Sequence, residues 1–368
     1  MKKTIVIFSN PFGYGPTGNA IPVMELLIKN FSNYNIVFAG SRFCMEIIGD
    51  IRVKKIIIDE RNESAIESLL RTIPNAHIIG FQNRFCIRVA KKIGLPCAFV
   101  DVLAWFWRDL PEDHLIADEV FWIRFPGLED KRKNVARDIH LVHGIIRSDR
   151  LMRKNRRQLM VHIGGAKYPF PPEVPKNYLK LLAECLNRLE CGDRYDQIYF
   201  TTGIEAVSYI RSLITNKNIV ISTSSGAEFT DELSQTKHML TTAGVSSTLE
   251  AFSFGIPTSF LLPINLSQIA LTDLLSRFDA CPNSMKFDDY VVIDDQLRQM
   301  SERGAMAELD KYAGIINKNN QLVESVVDDF VRMASSVPDS SNQLRIIEYV
   351  GQTGALEMVE ILRDKWGE

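Results

Sequence analysis

Short apolar runs rich in β-branched residues alternate with amphipathic stretches from the start of the chain to about residue 295. That alternation predicts a parallel sheet with crossover helices. In the first half the strands are expected at residues 4–8, 35–39, 53–58, 77–81, 98–103, 120–123 and 139–142, with helices at 19–31, 63–72 and 84–93. Their apolar character is continuous rather than alternating, so both faces should be covered. The pattern restarts with strands at 159–163, 197–201, 218–222, 239–242, 258–262 and 290–293, and with helices most clearly at 175–189 and 246–254. After residue 295 the strands stop. Leu322, Val326 and Phe330 share one helical face, Leu356, Val359 and Leu362 mark a last helix, and Asp339 to Asn342 reads as a turn and cap between them. The fold class is therefore α/β: one domain over 1–150, a second over 158–300, and closing helices over 301–368 that are expected to pack back across both.

Composition narrows the function classes. The chain has 368 residues, 46% hydrophobic and 24% charged, and a formal net charge of −2, which argues against a dedicated nucleic-acid binder. No apolar run approaches the ~20 residues that cross a bilayer. The opening run from Thr4 to Phe8 is too short for a signal peptide and reads as a buried strand. Cys44, Cys86, Cys97, Cys185, Cys191 and Cys281 are scattered without a Cys-x-x-Cys pair, so a zinc ribbon or disulfide framework is not expected and a reducing cytoplasm is the simplest home. Arg147, Arg150, Arg153, Lys154, Arg156 and Arg157 stand against Asp149 alone. That run reads either as a solvated linker or as a basic lip beside an anionic ligand, and in both cases it marks a domain boundary.

Three glycine-bearing turns follow predicted strands and precede predicted helices. The first, Asn10 to Asn19, contains Gly13, Gly15, Thr17, Gly18 and Asn19 and could bring backbone close to an acceptor or a phosphate. It lacks the Gly-Lys-Ser/Thr ending of a P-loop, and Ala39-Gly40-Ser41-Arg42 stands where a dinucleotide site would place an acid. The second is Gly164-Gly165. The third runs from His238 through Gly244-Val245-Ser246-Ser247 to Glu250, then Gly255-Ile256-Pro257. Amides, hydroxyls and a helix dipole converging after Gly244 suit a diphosphate, whereas the Ser247–Glu250 spacing alone reads as a capping box.

Ala243-Gly244, Glu250, Gly255-Ile256-Pro257 and the apolar strand ending at Pro263 resemble the donor-binding signature of GT-B glycosyltransferases, in the branch holding the peptidoglycan N-acetylglucosaminyl transferase and the UDP-glycosyltransferases. The resemblance covers roughly residues 159–275; the first domain matches in layout and in its glycine-rich first loop. It implies two Rossmann-like domains facing a cleft, the first for an acceptor and the second for a nucleoside-diphosphate sugar, with UDP favoured. Carried onto this sequence, Glu250 would accept from the ribose hydroxyls, and Gly244, Val245, Ser246 and Ser247 would hold the diphosphate. Phe229 and Thr230 would frame the base, Gly164 and Gly165 would approach the phosphates, and Asn265 and Gln268 would meet the sugar.

The departures matter as much. Relatives often carry a histidine base in the first loop, and this loop has none. His77, His140, His143, His162 and His238 read as satisfied core residues, and His114 as part of a surface turn. Asp101, an acid in an otherwise apolar strand, is the expected catalytic base, with Tyr14 and Asp109 in reserve; the alternative is that Asp101 braces a loop through Arg84 or Arg108. Retaining GT-B enzymes often show two glutamates eight positions apart near this helix, and Thr242 and Thr258 stand at those offsets from Glu250. The expected activity is thus an inverting, metal-independent sugar transfer without a cofactor, to a small-molecule or glycan acceptor. A nucleotide-sugar epimerase or hydrolase on the same scaffold is the alternative, as is a non-catalytic nucleotide-binding module, favoured if Asp101 and Asp109 are buried and paired.

Overall fold

The computed structural model describes residues 2–147, 156–167, 174–223 and 226–367. Asp149, Arg150, Arg153 and Lys154 of the basic run lie outside them. The chain forms two compact units, Met1–Arg147 with Ile347–Glu368, and Ser148–Ile346. The residues after 300 therefore divide between the units.

The first unit is built on a seven-stranded parallel sheet: β1 (Lys3–Ser9), β2 (Tyr34–Gly40), β3 (Lys54–Ile57), β4 (Ala76–Phe81), β5 (Cys97–Asp101), β6 (Glu119–Ile123) and β7 (His140–Val142), in the order β3-β2-β1-β4-β5-β6-β7. Successive strand residues serve opposite cores. Ile5, Ile7, Ile79, Phe81 and Val100 pack with α1 (Gly15–Asn30) and α2 (Arg42–Ile48), while Val6, Phe8, Ile78, Phe99 and Trp122 pack with α3 (Glu63–Arg71), α4 (Arg84–Lys92) and Leu128 of α5 (Leu128–Lys133). The first of these cores is completed from the far end of the chain, by Met358, Val359, Leu362 and Trp366 of α14 (Gly354–Trp366).

Where α14 joins, the backbones run very close. Gly144 N donates to Val350 O at 3.0 Å, Gly354 N to Gly144 O at 3.2 Å, and Ile145 bridges Thr353. Glu357 accepts from the His143 amide at 3.0 Å and from its ring, whose other nitrogen meets Arg124 Nη1 at 2.9 Å.

The second unit carries a five-stranded parallel sheet: β8 (Gln158–His162), β9 (Gln197–Thr201), β10 (Ile219–Ser222), β11 (Thr236–Thr241) and β12 (Thr258–Phe260), in the order β10-β9-β8-β11-β12. Its helices are α6 (Lys176–Asn187), α7 (Ile204–Ile210), α8 (Gly226–Gln235), α9 (Val245–Ser253), α10 (Leu266–Ser276), α11 (Glu302–Asn317) and α12 (Asn320–Ser335). The return to the first unit falls within α13 (Ser341–Val350), whose start accepts the expected turn, with Asp339 Oδ1 meeting Ser341 N at 3.1 Å.

Three local expectations are corrected. Residues 290–293 form no strand: Val292 is 95% exposed, and Tyr290 instead reaches Asp329 at 2.6 Å. The strand predicted over 98–103 stops at Asp101, because Asp101 Oδ1 takes the Leu103 amide at 2.9 Å and turns the chain. α1 starts at Gly15 rather than 19, since Pro16 in its first turn needs no donor there; α2 escaped the pattern reading.

Gly354 has no room for a side chain, because a methyl group would land on the His143 carbonyl. Gly354→Ala should therefore cost about 1–3 kcal/mol or more and expose α14 to hydrogen exchange ahead of the rest of the first unit. Unchanged melting and protection would contradict this account of how α14 docks.

Candidate functional site

In open α/β sheets ligands sit beyond the carboxyl ends of the strands, where the chain switches from building outward on one side to the other. In the second unit that point lies between β8 and β11, and both exits carry glycine. After β8, Gly164 is left-handed (φ +62°), its carbonyl takes Thr202 Oγ1 at 2.9 Å, and an added Cβ would meet nothing within 4 Å. After β11, Thr242 N donates to His162 O at 3.1 Å, which ties the two exits together. Gly244 then caps α9 in an extended conformation. Gly165 and Ala166 are buried behind this edge, and Val245, Ser246 and Ser247 form the partly exposed first turn of α9.

The expected capping box is not formed. Ser247 lies inside the helix and returns its hydroxyl to Gly244 O at 3.2 Å, and Glu250 follows one turn further on, half-buried. A helix start without a side-chain cap keeps its first amides turned outward, which is the feature an anion needs.

Other expected donor residues are used by the fold itself. Phe229 is buried in a core with Met160, Leu233 and Met239, and its ring lies 4.6 Å from that of His162. Thr230 beside it is buried as well. Asn265 caps α10, accepting from Gln268 N at 3.0 Å and Ser267 Oγ at 2.9 Å. Gln268 turns inward, taking Ile264 N at 2.7 Å and giving its amide to Thr242 Oγ1 at 3.2 Å. Both Phe229 and Gln268 are buried.

Glu302 was not anticipated. From the first turn of α11 its Oε1 accepts the Leu266 amide at 3.1 Å, so it closes the start of α10 from outside. Burial pushes its carboxyl up to about 7, against the pull of that amide. The signal in the sequence was Ser301, a helix cap, which fixes where Glu302 starts but not what it faces.

In the first unit the switch point lies between β1 and β4. Gly13 (φ +60°) occupies the loop with open space where a Cβ would stand, and Tyr14 caps α1 with its ring 5.4 Å from Phe43. The remaining residues assigned to a glycine-rich loop are helical. Gly15 and Gly18 lie in the first turns of α1, Thr17 is fully buried against Ser9 Oγ at 2.8 Å, and Asn19 bonds back to Gly15 O at 3.0 Å.

Asp101 is fully buried. It accepts from Leu103 N at 2.9 Å, Trp107 Nε1 at 3.1 Å and His114 Nδ1 at 3.0 Å. His114 is correspondingly buried rather than at the surface, packed between Phe99 and Trp107. Lys131 joins the same loop by donating to Ala104 O at 2.8 Å and to Trp107 O. Of the partners expected for Asp101, Arg84 lies 3.6 Å from Asp113 and Arg108 is exposed. Asp109 is exposed. Asp101 is thus the anchor of the aromatic loop, buried with three N–H groups on its carboxylate.

No family model matches the chain, and no curated protein is similar in sequence. Solved structures are. MurG of Acinetobacter baumannii has a TM-score of 0.51 at 13% identity, over 98% of this chain and 99% of its own. UGT89C1 of Arabidopsis thaliana, solved with UDP, gives 0.55 at 12%, over 99% of each chain. The UDP-GlcNAc 2-epimerase of Methanocaldococcus jannaschii gives 0.51 at 14%, over the full length of both. The chain has the GT-B fold. Within it, the glycine-flanked exits of β8 and β11 stand in the second of two parallel α/β units, each wound outward from its first strand in the same order.

Two measurements test these assignments. Asp101→Asn replaces an acceptor with a donor facing buried N–H groups, and should lower stability by about 1–3 kcal/mol; a variant as stable as wild type would refute the anchoring role. Glu302 holds its proton in the folded chain to a pH near 7, whereas its ordinary value is 4.5. Its stabilising share is therefore full below pH 4.5 and lost as pH rises toward 7, by about 3 kcal/mol. Glu302→Gln should gain on wild type in melting temperature between pH 5 and 7.5, and parallel profiles would exclude this.

Proposed function

We propose that the protein is a nucleotide-sugar enzyme, and most specifically a glycosyltransferase that moves a sugar from a nucleoside-diphosphate donor, UDP favoured, to a hydroxyl-bearing small molecule or glycan. The observation that carries this is the pairing at one sheet edge of an open, left-handed Gly164 with the uncapped start of α9 at Gly244. Backbone approach without a side chain, beside outward amides and the positive end of a nine-residue helix, is what a diphosphate requires. Such a site needs no metal to hold the leaving group, because oriented amides stabilise the charge that develops on it.

In this reading Val245, Ser246 and Ser247 receive the phosphates and Glu250 accepts from the ribose. Inversion is supported by Thr242 and Thr258, both buried, at the two positions where retaining relatives of the sequence pattern carry a second glutamate. The acceptor would be handled by the first unit, around Gly13 and Tyr14.

A second reading keeps the same nucleotide site but rearranges or hydrolyses the sugar. It draws on the likeness to the 2-epimerase. Product analysis with UDP-sugars separates the two, as a glycoside, a free sugar or an epimerised donor.

The nucleotide site itself is tested through Gly164. Gly164→Ala should cost roughly 1–2 kcal/mol from the left-handed backbone, with no steric clash in the unliganded protein. UDP at 100 times its dissociation constant should stabilise the wild type by about 2.7 kcal/mol. That ligand-dependent gain should largely vanish in Gly164→Ala, and an undiminished gain would exclude phosphate from this loop.

A further inference from the structure

The carboxyl end of β4 is built as an elbow. Gln82, which follows the strand, has φ +50°, a left-handed conformation that a glutamine seldom adopts. The conformation is pinned on both sides. Gln82 N donates to Val100 O at 2.9 Å on β5, and Gln82 O accepts from Asn10 Nδ2 at 3.2 Å in the loop after β1.

The next residue locks the turn to the sheet. Asn83, almost fully buried, gives its amide to Ser9 O at 3.2 Å and Glu60 O at 3.0 Å, and accepts Cys86 N at 3.1 Å to cap α4. Gly80 lets the helix come this close, since a Cβ there would lie 2.7 Å from Asn83 O and 2.8 Å from Cys86 Sγ.

All of this fixes the backbone and none of it engages the Gln82 side chain. The side chain is partly exposed and makes no hydrogen bond among the described residues. It stands at the switch point of the first unit, beside the Gly13 loop. Strain of this kind survives where surrounding structure imposes it, and such residues concentrate at ligand sites.

We propose that Gln82 is a substrate-specifying residue of the first unit, its carboxamide giving and taking one hydrogen bond each with neighbouring hydroxyls of a neutral polyhydroxylated acceptor, a monosaccharide unit. The inference rests on the glycosyltransferase reading. An amide that both donates and accepts matches a hydroxyl pair, and it offers no charge to hold a carboxylate or phosphate.

The test uses the full chain with saturating UDP and a panel of monosaccharides and their methyl glycosides at millimolar concentration. The Gln82 side-chain amide signal is identified by its loss in Gln82→Gly. Glycine adopts the left-handed turn without strain, so this variant should melt at or above the wild-type temperature. At least one sugar should shift that signal, and its dissociation constant should rise about tenfold or more in Gln82→Gly, with UDP affinity within twofold of wild type. If UDP binds and every sugar leaves the amide signal unmoved, or binds both proteins equally, the role of Gln82 is overturned while the donor site stands. If UDP does not bind the wild type, the transferase reading fails and this proposal with it.

Discussion

Burial of both faces of the seven-stranded sheet is the constraint from which the rest of the first unit follows. Parallel strands cannot leave one face to water, and Ile5, Ile7, Ile79 and Val100 point away from the core that Val6, Phe8, Ile78 and Phe99 fill. Helices α3 and α4 lie in the same stretch of chain as the strands they cover. The opposite face has only α1 and α2 from that stretch, and it takes Met358, Leu362 and Trp366 of α14 to finish it. The backbone crowding at Gly144 and Gly354 is the local cost of bringing that helix home.

With both faces closed, only the strand ends remain for chemistry. The carboxyl edges are also where side chains must hold the exits in place, and this double demand explains the division of labour seen there. Asp101, Asn83, Asn265 and Gln268 are polar, sit at strand or helix ends, and spend their hydrogen bonds on neighbouring backbone. Gly13, Gly164 and Gly244 leave backbone uncovered beside them. The carboxyl edges are thus gaps framed by internally satisfied anchors.

That distinction sets what was legible in the sequence. The strands were, because short apolar runs between turns leave little alternative; residues 290–293 imitated that pattern, but the outer edge of β12 is taken by residues 283–285, which exchange backbone hydrogen bonds with Phe260. The glycine exits at 164 and 244 were legible through their place after strands. The partners of polar residues were not. Asp101 and His114 are thirteen positions apart and nothing in their spacing announces a shared hydrogen bond, while Gln268 has the residue type of a sugar ligand yet faces Thr242. Gln82 was invisible for another reason: a backbone angle imposed by Asn10, Val100 and Asn83 leaves no mark on the identity of the residue that adopts it.

The return of α14 also orders events in time. Some two hundred residues, the whole second unit among them, are synthesised between Arg147 and Gly354. At ~5–20 residues per second, the nascent first unit spends about 10–40 s with the α14 side of its core open. Through that interval the second unit, continuous in sequence, is free to fold by itself. The first unit, though made first, is the last to be finished.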